Sequence, residues 1–210
     1  ELLRGTAPQD AGYELLREVF AGYPIANLAA LLTSDRLDAV RVGAWLASEL
    51  GASSSVLASS LSPHLQSNDP AIRVHAIESV MANASAYDDE SLGAALCLIA
   101  DDDVRVIKHA IRLLGVLSYE DLVRGGQTAI GCGADPTWLI DLGDNPATRK
   151  SEIAAGLSSQ NELRRRHAAA ALLRVVPLDL ELMADAASSL DEAIRLFAEL
   201  EIRVRHARQR

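Results

Sequence analysis

The chain is 210 residues long, 49% apolar, with a formal net charge of −9. That length and apolar content allow a buried core and exclude a disordered chain, and no apolar run approaches the roughly 20 residues of a membrane-spanning helix. Aromatic residues make up only 4% while Ala and Leu recur, a balance that favours helices packed closely through small side chains.

The opening ELLRGTAPQD lacks the pattern of a signal peptide. PIANLAALL (24–32) reads as a short helix ended by TSD. RLDAVRVGAWLASELG (36–51) is the next, closed by Gly51 just past its end. In SSVLASSLSPHLQ (54–66), Pro63 predicts a kink or an early stop. NDPAIR (68–73) then starts a helix by a definite device: Asp69 accepts from first-turn N–H groups, and Pro70 has no N–H to leave unpaired. Ile72, Ala76, Ile77 and Val80 follow at helical spacing, and the pattern fades in NASAYDD.

DESLGAALCLIA (89–100) and DVRVIKHAIRLLGVLS (103–118) are two more helices. RGGQTAIGCGAD (124–135) holds four glycines and reads as a long loop or a distorted repeat. DNPATR (144–149) repeats the capping device with Asn145 and Pro146. NELRRRHAAAALLRVVP (161–177) is a helix, and residues 179–210 supply one or two more. Helical spacing spreads Arg164, Arg165 and Arg166 around a wide arc, so they form no compact phosphate clamp. The last eight residues, RVRHARQR, carry four arginines and no acid, which leaves −13 on residues 1–202. Turns are short and polar, so neighbouring helices should be antiparallel. No segment alternates strictly, and no strand is expected.

Arg41, Arg73 and Arg105 fall 32 residues apart, each preceded by an apolar residue (Val40, Ile72, Val104). A period of this size is that of two-helix units, each too small to bury its apolar face alone. DPAIRVHA (69–76), DDDVRVIKHA (101–110) and NPATRKSEIA (145–154) resemble the second helix of a HEAT repeat, roughly D-x-x-V-R-x-x-A. The first unit departs from it, with Leu37 where the acid belongs. Asp69–Arg73, Asp101–Arg105 and Asn145–Arg149 are i,i+4 pairs one turn apart; stacked units also let an arginine reach the acid of its neighbour. The resemblance implies an all-α, right-handed solenoid of about four to six helix pairs. It would run as one array over 1–210, clearest over 24–118, with an irregular insert at about 119–135. Repeats resume over 136–176, and capping helices close the array over 179–210.

Three histidines, His75, His109 and His167, precede the same alanine in three helices. Equivalent positions in stacked helices lie about 8–10 Å apart, too far to converge on one ion. None of the five histidines precedes a glutamate, unlike the His-Glu dipeptides of HEAT-like metal-dependent hydroxylases. With two cysteines there is no disulfide framework: Cys97, in AALCLIA, reads as a small core residue, and Cys132, in GCGAD, as a loop thiol. These features fit a cytoplasmic location. There is no phosphate loop, nucleophile elbow or zinc spacing, so no catalytic residue, cofactor or metal is expected.

The resemblance therefore implies a non-enzymatic protein-binding module, with Glu49, His75, Glu78, His109, Arg112 and His167 as candidate partner contacts on a concave face. An acidic body attracts basic proteins and repels nucleic acid, so the expected partner is a basic protein. In this respect the chain is similar to immunity proteins that neutralise a toxin domain by charge complementarity. The alternative is a HEAT-like enzyme of the alkylpurine DNA glycosylase or bilin lyase type, for which Trp45, Trp138 and Asp141 would supply aromatic groups and an acid.

Overall fold

The computed structural model describes residues 11–130, 136–142, 149–175 and 177–208. They are helical, with no strand among them, and they form two compact units that meet in sequence between Ser91 and Leu92. The expected all-α architecture of successive packed helices is what each unit adopts.

In the first unit, α1 (Ala11–Phe20) precedes a 3₁₀ turn and α2 (Ala29–Leu32), which pairs with α3 (Leu37–Glu49). Gly51 ends that pair at φ +53, a left-handed conformation that a glycine adopts without a steric penalty. The segment around Pro63 is broken as expected: α4 (Ala58–Leu61) lies between 3₁₀ stretches at Gly51–Leu57 and Ser62–Gln66. α5 (Pro70–Asn83) packs on α3. Beside it, Ser54, Ser79, Asn83 and Tyr87 form a buried polar cluster. The Tyr87 hydroxyl donates to Ser79 Oγ at 3.0 Å, and Asn83 Nδ2 donates to the Gly51 carbonyl at 2.9 Å. These bonds satisfy groups that would otherwise cost stability when buried.

The second unit takes up α6 (Asp89–Cys97) from Leu92 onward, then α7 (Val104–Val116), α8 (Tyr119–Ala129), α9 (Thr137–Asp141) and α10 (Lys150–Leu157). α11 (Glu162–Leu172), α12 (Leu180–Ala187) and α13 (Glu192–Arg208) complete it. The glycine-rich stretch corrects the sequence reading. Residues 119–129 are a regular helix, and Gly125 and Gly126 lie inside it. A Cβ on Gly125 would stand 3.0 Å from Leu92 Cβ, and one on Gly93 would stand 2.8 Å from Thr128 Cβ. Here glycine lets two helices approach closely; it does not break one. Residues 131–135, Asn145 and Pro146 lie outside the described residues. Cys97 is half-buried and disulfide-bonded, not the plain core thiol expected; the other cysteine, Cys132, is outside the described residues. A disulfide departs from the reduced thiols usual in cytoplasmic proteins.

The arginine period is not a register. The second helices start at caps Arg36, Asp69, Asp103, Asn161 and Asp191. Counted from these, Arg41 is five residues in, Arg73 four and Arg105 two. The bonds differ accordingly. Arg41 reaches forward to Asp69, the cap of the next second helix, while the other Asp69 oxygen accepts from the Ala71 N–H at 2.9 Å. Arg73 Nη1 donates back to the Ser67 carbonyl at 2.7 Å. Arg105 chelates Asp103 through Nε (3.1 Å) and Nη2 (2.8 Å), and Arg149 binds Glu152 (2.7 Å) and the Asp141 carbonyl (2.6 Å).

Two ties recur at the helix starts. One is a clasp around three of the turns. Ser67, Ser159 and Ser189 accept, through Oγ, from the N–H of Asp69, Asn161 and Asp191, while Arg73, Arg165 and Arg195 return to the serine carbonyls. The other tie joins helices: Arg166, at the position of Arg41, binds the next cap Asp191 at 3.0 Å. Arg166 is 7% exposed and also binds Glu162 and the Ile99 carbonyl.

Burial decides what each arginine is worth. Removing Arg166 strands the buried Asp191 carboxylate and the Ile99 carbonyl, so Arg166→Ala should cost about 3–5 kcal/mol. Arg105 is 60% exposed at its side chain, and Arg105→Ala should cost less than about 1 kcal/mol. Urea melts of the two variants measure this contrast.

Stability should also fall in acid. The Arg105 guanidinium holds the Asp103 carboxyl down at about 2, and Lys150 lowers Asp179. For Asp69, burial pushes upward, but Arg41 and the Ala71 N–H outweigh it and the net shift is down. Depressed carboxylates stabilise the fold above the unfolded value and lose that contribution as pH falls through the folded one. The melting temperature should therefore decline between about pH 4 and pH 2, and less steeply in Asp103→Asn.

Candidate functional site

In the first unit a surface forms across α1, α3 and α5. Gly12 is buried, and a Cβ there would sit 3.2 Å from Trp45 Cζ3. The bare backbone therefore lets α1 lie close against the indole. Tyr13, 64% exposed, meets Trp45 edge to face, with centroids 4.9 Å apart and planes at 65°. Glu49 lies one turn beyond Trp45 on α3 and is exposed. The Ser48 hydroxyl donates to the Trp45 carbonyl at 2.8 Å, so Ser48 Oγ is left as an acceptor. His75 on α5 then carries its proton on Nδ1, shared between Ser48 Oγ (3.0 Å) and Glu78 Oε2 (3.1 Å). Of the expected contacts, Glu49, His75 and Glu78 are thus brought to one surface. Tyr13 was missed; its signal was the concentration of scarce aromatics, with four of eight within the first 45 residues.

The second unit places its candidates differently. His109 is half-buried on α7. Arg112 Nε binds Glu201 of α13 at 3.0 Å, so it ties two helices together. His167 is a correction. It is 5% exposed, its Nδ1–H donates to the Leu163 carbonyl at 2.8 Å, and no partner surface reaches it. The cause is α11 itself, whose residues from Arg166 to Leu172 are all buried. Its run Ala168–Leu172 has no polar face to turn to solvent. Its alanines sit against glycines: a Cβ on Gly156 would stand 2.7 Å from Ala168 Cβ, and one on Gly115 would stand 2.8 Å from the Ala170 carbonyl.

Trp138 on α9 is covered by the Arg164 guanidinium, 3.6 Å above its ring, and burial lowers the Arg164 pKa. That face is not open to stack a base, and Asp141 is exposed on the same short helix. Near the starts of α7, α11 and α13 lies a cleft of about 340 Å³ lined by Asp102, Glu162, Glu192, Arg165 and the fully exposed Leu190, among others. Its carboxylates are opposed by Arg165, Arg166 and three helix N-termini of roughly +0.5 charge each, so it selects weakly for either sign.

Among the described residues no group of three or more His, Cys, Asp or Glu could hold a metal ion, and no helix is long and apolar enough to cross a membrane. Dialysis against a chelator should leave the melting temperature unchanged; stoichiometric zinc or iron whose removal lowers it would contradict this geometry.

No protein-family model matches the sequence, and no curated protein matches it. Among solved structures, an engineered protein is 16% identical with a TM-score of 0.48, the match covering 88% of this chain and 80% of that one. A designed armadillo repeat protein, solved in complex with the peptide (KR)4, is 15% identical with a TM-score of 0.49, covering 89% of this chain and 83% of that one.

Proposed function

We propose that this chain is a non-enzymatic protein-binding module whose partner presents a basic surface, acting as an inhibitor of the immunity type. One observation carries the reading: arginines are engaged by acids and carbonyls of the chain itself, while a set of glutamates stands exposed. Arg41 binds Asp69, Arg112 binds Glu201 and Arg166 binds Asp191. Arg73, Arg165 and Arg174 bind the carbonyls of Ser67, Ser159 and Leu117. Glu14, Glu18, Glu49, Glu90, Glu192 and Glu199 are exposed.

Net charge sets the long-range field, and that field is negative. At close range the exposed glutamates present acceptors to a cationic side chain. Both effects favour a cationic protein and oppose a phosphate backbone. The covered face of Trp138 supports the same choice over base recognition by a glycosylase-like site.

The test is a pair of titrations, against a core histone as cationic probe and against duplex DNA. Histone association should weaken steeply with added salt, as the screening length falls from about 10 Å at 0.1 M to about 3 Å at 1 M. Glu78→Lys should slow association more than it speeds dissociation. Saturable DNA binding without histone binding would overturn the reading.

A further inference from the structure

We infer that Tyr13, Trp45 and Glu49, continued by His75 and Glu78, form a docking site for a lysine- or arginine-bearing segment of the partner. This rests on the protein-binding reading above and gives it a location. The aromatic pair is the first element. Tyr13 is 64% exposed although it touches Trp45, so a large part of its ring faces solvent beside a second ring. Aromatic faces attract cations through their quadrupole, and two rings set at 65° offer a corner rather than a single plane.

The carboxylates are the second element. Glu49 follows Trp45 by one helical turn and so shares its side of α3. Next to it, Ser48 receives His75, and His75 in turn holds Glu78 at 3.1 Å. An aromatic corner therefore leads into two acids across neighbouring helices. A cationic side chain would find ring faces for its stem and charge at its tip, which neither feature supplies alone. Arg41, one turn before Trp45 on α3, is turned onto Asp69, and the exposed Arg17 stands one turn beyond Tyr13 on α1.

The site differs from the cleft near α7, α11 and α13, where arginines and helix N-termini cancel the acids. It also differs from a diffuse acidic field, which has no aromatic dependence. These differences define the experiment.

Fluorescein-labelled octalysine and its fully Nε-acetylated counterpart are titrated into the full chain, with fluorescence anisotropy as readout. Octalysine should bind, and acetylation should weaken it at least about tenfold. Tyr13→Ala and Tyr13→Leu should each weaken it roughly three- to thirtyfold, because Leu restores bulk but not the ring face. Glu49→Lys should weaken it about tenfold, whereas Glu199→Lys, an equal charge change on exposed α13, should do so less than about twofold. All three positions substituted are exposed, and unchanged circular dichroism verifies folding. Equal losses from Glu49→Lys and Glu199→Lys with silent Tyr13 variants would overturn the site while leaving the basic-partner reading intact. Binding of the acetylated peptide as tightly as octalysine would overturn it as a cation site. If octalysine fails to bind while histone does so, the site falls and the broader reading stands; failure of both probes removes both.

Discussion

The rest of this fold depends on how each second helix begins. A helix start leaves backbone N–H groups without partners, and a side chain must supply the acceptor. Asp69, Asp103, Asn161 and Asp191 do so here. Three of these starts are wrapped further by a serine two residues before the cap and an arginine four residues after it. The turn becomes a closed polar knot, so each helix leaves it in a defined direction. In two places the cap carboxylate also receives an arginine from the preceding second helix. One residue thereby sets both where a helix begins and what it stands beside.

That dual role explains why the sequence was informative and where it misled. Asp69–Pro70 was legible because its chemistry is local, and the break at Pro63 for the same reason. The 32-residue arginine spacing was real but did not mark equivalent positions, because the second helices begin 33 and 34 residues apart. The histidines were the better ruler. His75, His109 and His167 each stand six residues after a cap. Yet equal register did not bring equal exposure, since α11 is enclosed from Arg166 onward and its histidine with it. Burial of that kind depends on neighbours distant in sequence, and no local pattern reports it. The glycines at 125 and 126 show the same limit: a glycine that opens a loop and one that admits a neighbouring helix look alike until the neighbour is known.

The candidate surface was half legible. Glu49, His75 and Glu78 were given as concave-face candidates by the repeat resemblance. What spacing does not give is α1, which brings Tyr13 to Trp45 through the missing side chain of Gly12. Nothing in α1 resembles a repeat, so no periodicity points to it. Functional chemistry at the edge of a repetitive fold is therefore harder to read than chemistry inside the repeats, because the edge is where the pattern stops.

The interior of the second unit has a consequence for tracing ancestry. Ala168 through Ala171 are fully enclosed, with Gly156 and Gly115 against them. Enlarging any of these residues demands a simultaneous reduction opposite it, so single substitutions there are nearly closed off. Exposed positions have no such coupling and are free to drift. Kinship among chains of this kind would accordingly persist in a four-alanine run and two distant glycines, long after the surfaces had ceased to look alike.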